Sequence, residues 1–152
     1  MPSYLSLAPV SAAVFTTLNV AALTGLLATQ AGGQSSIADF VFQGMAFPYL
    51  FFEVHETRQL GWMGTKPGVK SLPEVDLRLH AFWTTPGKVD GQTILAEALA
   101  LLFAGNALSV SGYAVCGTDP FHDTTIDLGN QVVAGVVVNE LVSQLRLYVE
   151  EL

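Results

Sequence analysis

Charged residues are scarce in this 152-residue sequence: they make up 12% of it, and none occurs before Asp39. The 6 basic residues never cluster and are outnumbered by 13 acidic ones, giving a net charge of −7. That balance argues against a protein that grips a nucleic-acid backbone, because phosphate contacts need grouped Lys and Arg. Cysteine is nearly absent. The single thiol, Cys116, cannot form an internal disulfide and suits a reducing compartment. No basic residue precedes the apolar N-terminal region, as a secretory leader would require. From Val10 to Gln30 the apolar residues are interrupted by Ser11, Thr16, Thr17, Asn19, Thr24 and Gly25, too many polar breaks for a membrane span.

Catalytic fingerprints are also lacking. Gly61, Gly64 and Gly68 do not sit between a strand and a helix, the setting a phosphate-binding loop needs. GYAVCG around Cys116 lacks the Gly-x-Ser-x-Gly spacing and has no helix after it, so the thiol reads as buried and inert. His55, His80 and His122 are not spaced as a local metal site. Asp119, His122, Asp123 and Asp127 form the densest acidic cluster, on an expected loop 117–130. They offer oxygen ligands for a divalent cation but lack calcium-loop spacing. Glu53, His55 and Glu56 with Asp76 and His80 are either an acid/base pair across a sheet or its wet face, bridged to Arg58 and Arg78. The sequence therefore reads as non-enzymatic, with neither cofactor nor metal expected.

What is abundant is apolar surface, at 51% of residues. In a chain of single-domain length, this suggests that other subunits cover part of it. The richest stretch is Glu74 to Phe103. Val75, Leu77, Leu79, Ala81 and Trp83 recur every second residue, with Asp76, Arg78 and His80 between them, as in a strand with one buried face. After Pro86-Gly87 the spacing of Ile94, Leu95, Ala98, Leu99, Leu102 and Phe103 becomes helical, with Asp90 as the expected N-cap.

Elsewhere the patterns predict an extended arm over 1–8, a helix from Pro9 to about Ala28, and a short strand over 37–42. A strand beginning at Phe47-Pro48-Tyr49 follows. Next comes a long connection, 57–71, carrying Trp62 and Met63. A strand over 108–116 and a β-rich C-terminus complete the chain. The order α-β-β-β-α-β-β predicts a single α+β domain over 1–152, a mainly antiparallel sheet with two helices packed on one face. Trp62, Met63, Asp76, Arg78 and His80 are the candidate contacts with a neighbour or partner.

The order of features resembles the tail-completion or tail-terminator proteins of long-tailed bacteriophages, prophages and phage-derived gene-transfer particles. The resemblance rests on the N-terminal helix, the Phe47-Pro48-Tyr49 strand start and the long hairpin loop. It continues through Leu-x-Leu-His-Ala-Phe-Trp at Leu77–Trp83, the helix after Gly91 and the strand Leu145-Arg-Leu-Tyr-Val149. It implies a homo-oligomeric subunit, a hexameric ring that caps the tail tube and stops its polymerisation. Such a ring also joins the tail to the head connector and lets DNA pass through its lumen without specific binding. Its place is the virion neck, with assembly in the host cytoplasm and no membrane. Two other readings stay open: another neck or tail subunit (head-completion, connector or tail-tube), and an unrelated α+β binding module with a ligand between sheet and helices.

Overall fold

The computed structural model describes residues 7–40, 44–60, 72–103, 108–133 and 135–151. Two helices and a short third precede and interrupt a five-stranded sheet. The elements are α1 (Leu7–Leu18), α2 (Ala21–Thr24), a 3-10 turn (Ala31–Gly33), β1 (Ile37–Ala38), β2 (Tyr49–Leu60), β3 (Leu72–Trp83), α3 (Val89–Phe103), β4 (Tyr113–Val133) and β5 (Val136–Glu151). The strand order is β1-β2-β3-β5-β4. All pairings are antiparallel except the short β1–β2 contact. This is the expected α+β architecture.

The alternation in β3 organises the core. Its odd positions meet Leu50, Phe52 and Val54 of β2 on one side and Leu141, Ser143, Leu145 and Leu147 of β5 on the other. Val75, Leu77, Leu79, Ala81 and Trp83 are all buried, as are Ile94, Leu95, Ala98 and Leu102 of α3, which lies over β3 and β5. Leu99 and Phe103, expected in the same stripe, are only half-buried at its flank. α1 covers β1 and β2 through Val10, Val14 and Leu18. Trp83 closes the top of this core: its Nε1–H donates to the Gly87 carbonyl at 2.8 Å, and its ring lies against Gly91. A Cβ built on Gly91 would stand 2.2 Å from Cζ3 of that ring, so the helix can approach only because the position is glycine.

Several sequence expectations are corrected. The N-terminal helix stops at Leu18 instead of reaching Ala28. Val20 is extended (φ −123°, ψ 156°), a break suited to a β-branched residue after asparagine, and Ala21, Ala22 and Leu26 are exposed. β1 covers only Ile37–Ala38, and 41–43 lie outside the described residues. Asp90 is not the N-cap but the second residue of α3, where its carboxylate accepts a hydrogen bond from the Thr85 hydroxyl. Leu108 to Cys116 is not one strand: regular pairing starts at Tyr113. The expected loop 117–130 is instead the middle of β4. Its pairing with β5 carries register shifts at Val115/Gly117, Asp119/Thr124 and Asp127/Gly129, irregularities that accommodate glycine and Pro120 within a strand.

Buried polar groups are matched where the chain turns back before β2. Gln30, 4% exposed, accepts from Ala46 N–H and donates to Ala46 O, both at 2.7 Å, and to Ser36 Oγ at 2.8 Å. Pro48 sits immediately before β2, as its missing donor requires, and its carbonyl accepts from Ala28 N–H at 2.8 Å.

Candidate functional site

The sheet face away from the helices holds the polar residues of the three central strands. Tyr49, Phe51, Glu53 and His55 of β2 lie beside Asp76, Arg78, His80 and Phe82 of β3. These in turn pair with Glu140, Val142, Gln144 and Arg146 of β5. Three of the expected contact residues, Asp76, Arg78 and His80, are thus on one surface, two residues apart along β3. Trp62 and Met63 lie outside the described residues.

These three residues have different surroundings. Arg78 is exposed. His80 has a side chain only 14% exposed and is clamped at both ring nitrogens: Nε2 is 2.8 Å from Glu53 Oε2, and Nδ1 is 2.8 Å from Glu140 Oε1. Each ring nitrogen thus meets a carboxylate from a different neighbouring strand. Glu53 also lies 3.8 Å from His55 Nε2. The arrangement ties β2, β3 and β5 together across the sheet. Both nitrogens are occupied by the chain's own carboxylates, so this histidine offers no free nitrogen to a substrate.

Asp76 is 6% exposed and is satisfied internally, by Arg146 Nε at 3.2 Å and Gln144 Nε2 at 3.4 Å. It therefore supports the face from beneath. Beside this polar cluster runs an aromatic row. Ring centroids are 5.2 Å apart for Phe47–Tyr49, 4.9 Å for Tyr49–Phe82, 6.3 Å for Phe82–His80 and 5.1 Å for His80–Phe51. Burial, and then the negative charge of Glu140, raise the Tyr49 phenol above its ordinary value of 10.0.

Glu140, Gln144 and Arg146 were not among the residues singled out from sequence. The signal for them was the alternation of β5, which places Arg146 and Gln144 on one face; that this face adjoins Asp76 follows only from the β3–β5 register. Among the described residues no group of three or more His, Cys, Asp or Glu is placed to hold a metal ion, and no helix is long and apolar enough to cross a membrane. The side chains of Cys116, Asp119, His122, Asp123 and Asp127 fall outside the described part; the backbone of Asp119 and Asp127 pairs with β5, and 120–123 lie in the irregularity between Asp119 and Thr124.

No family model matches the sequence, and no curated protein does. A solved structure does match in fold. A chain from the virion of a native gene transfer agent particle superposes with a TM-score of 0.66 at 18% identity, covering 97% of this chain and 99% of that one.

Proposed function

We propose that this chain is a structural subunit of a phage-like virion that closes as a ring on the end of the tail tube. It would stop tube growth and join the tail to the head connector. The observation that carries the reading is the end-to-end fold similarity to a gene transfer agent virion chain, which leaves almost nothing of either chain unmatched. The open sheet face agrees with it. Its His80 and its buried Asp76 carboxylate are engaged within the chain, so the surface suits contact and passage more than chemistry. Among the described residues it carries no cluster of Lys and Arg that would hold a phosphate backbone, which suits a lumen through which DNA slides without binding.

A ring of identical subunits needs two different, complementary patches per copy. The sheet ends in unlike edges, the two-residue β1 and the 21-residue β4, so one copy is suited to meet the next head to tail. Six copies is the number implied by the resemblance to tail terminators. Trp62 and Met63, between β2 and β3, are the proposed contacts with a neighbouring subunit or the tube.

Negative-stain microscopy of the purified protein tests the assignment. Single rings are expected. Indefinitely long tubes would replace it with a tail-tube subunit, and particles lacking the chain should carry tails of uncontrolled length. Normal-length tails left unattached to heads would instead make it a connector.

A further inference from the structure

A groove of about 580 Å³ opens between α1 and β1, the edge strand of the sheet. Ala8, Ala12 and Phe15 line it at helical spacing, so it begins at the first turn of α1 and runs along that helix. Ile37 and Phe52, both buried, line it from the sheet. Polar side chains complete the lining: Ser11, Gln34, Ser35 and Asp39, of which Gln34 and Asp39 are exposed.

The chain ahead of α1 starts at the mouth of this groove. The helix begins at Leu7, one residue before the groove's first lining residue, and residues 1–6 precede it. Their composition suits an apolar cleft. Met1-Pro2-Ser3-Tyr4-Leu5-Ser6 carries no charged side chain, so covering it desolvates none, and Tyr4 and Leu5 are adjacent large side chains. Successive side chains of an extended segment point to opposite sides, so between a helical wall and a sheet wall Tyr4 and Leu5 meet one each. The lengths agree as well. Ala8 to Phe15 spans roughly 10 Å along α1 at the helical rise. If two residues reverse the chain direction, the other four cover about 13 Å when extended.

We propose that residues 1–6 fold back along α1 and seat in this groove of their own chain, with Tyr4 and Leu5 as the anchors. Tethering favours this occupant over any other in solution: a short linker holds the arm at an effective concentration on the order of millimolar, far above that of a free partner or a second copy. Covered backbone groups of the arm need partners, and the side chains of Ser11, Gln34, Ser35 and Asp39 are placed to supply them. The contact is made within one chain, so it stands apart from the ring reading.

The test compares the full chain with one lacking residues 1–5, using an apolar dye whose emission rises on exposed hydrophobic surface. Shortening the chain should raise the emission severalfold, and Tyr4→Glu combined with Leu5→Glu should do the same in the full chain. A synthetic peptide of residues 1–6, at about the millimolar level that the tether supplies, should displace the dye from the shortened chain and so also show that this chain is folded. Ala12→Glu, an exposed position on the helical wall, should abolish dye binding by the shortened chain and place the site in this groove. Emission unchanged on shortening, or dye that the peptide does not displace, overturns the proposal. So does a full chain whose emission rises severalfold on dilution to monomers, because the cover would then come from a neighbouring copy.

Discussion

Gly91→Ala sets local propensity against packing and gives opposite answers for each. Gly91 is the third residue of α3, and on helix propensity alone glycine to alanine there should stabilise by up to about 1 kcal/mol, the helix-interior value. Here the new methyl carbon would stand 2.2 Å from Cζ3, 2.4 Å from Cη2 and 2.7 Å from Cε3 of Trp83. Carbon atoms in contact prefer roughly 3.5–4.0 Å, so ring and helix must separate by more than about 1 Å. Neither yields easily: Trp83 is 2% exposed, and withdrawing its ring strains the 2.8 Å bond from Nε1 to Gly87. Overpacking of this kind costs about 1–3 kcal/mol or more, enough to reverse the propensity gain. We expect a net loss of about 1–3 kcal/mol in urea denaturation followed by tryptophan fluorescence, with a melting temperature lower by about 2–4 °C for each kcal/mol. On a Trp83→Leu background, where the obstructing ring is gone, the same substitution should be neutral or stabilising. A Gly91→Ala protein as stable as the parent would refute the claim that Trp83 sets the approach of α3.

Leu95→Ala, in the buried stripe of α3, should cost about 2–5 kcal/mol, whereas the half-buried Leu99→Ala should cost measurably less; equal losses would mean the helix is rotated from the orientation described. Arg146→Met leaves the Asp76 carboxylate buried without its cation and should destabilise by about 2–4 kcal/mol, and Asp76→Leu combined with it should recover most of that loss, as a double-mutant cycle would measure. The raised Tyr49 phenol makes the folded state hold its proton after the unfolded chain has released it, so stability is full below pH 10.0 and falls as pH rises toward the folded value. Tyr49→Phe should flatten that alkaline decline, and an unchanged slope would dissociate Tyr49 from it. Trp62→Ala should weaken ring assembly or tail attachment while leaving the unfolding free energy within about 0.5 kcal/mol of the parent; unaffected assembly would end its role as a contact.

Much of the architecture was legible wherever periodicity and burial agree. The odd positions from Val75 to Trp83 are all buried, and the helical run after Pro86-Gly87 packs on them. β4 was not legible, because Gly117, Pro120 and the intervening polar residues carry the local signature of a loop. The long edge of β5 imposes strand pairing on them, and the register shifts absorb the misfits. The break after Leu18 was also missed, since an apolar run continues through it while Val20 turns extended. At the candidate site, His80 and Asp76 could be assigned to the open face from alternation alone. Their partners Glu140 and Arg146 could not, because they arrive from about sixty to seventy residues away along the chain.

The strand order also bears on how the chain reaches this state. β2 with β3, and β4 with β5, are hairpins whose partners are close in sequence, and each can zip early. The β3–β5 seam joins Trp83 to Asn139 at one end and Glu74 to Tyr148 at the other, so it forms only after α3 and the whole of β4 have been synthesised and folded back. Closing such a long loop is the slow, entropically opposed event in folding. A seam one residue out of step would turn the β5 side chains that match Asp76 and His80 toward the helices and send Leu145 and Leu147 to the surface. The Asp76–Arg146 and His80–Glu140 pairs therefore act as a check on register: only the correct alignment satisfies both at once.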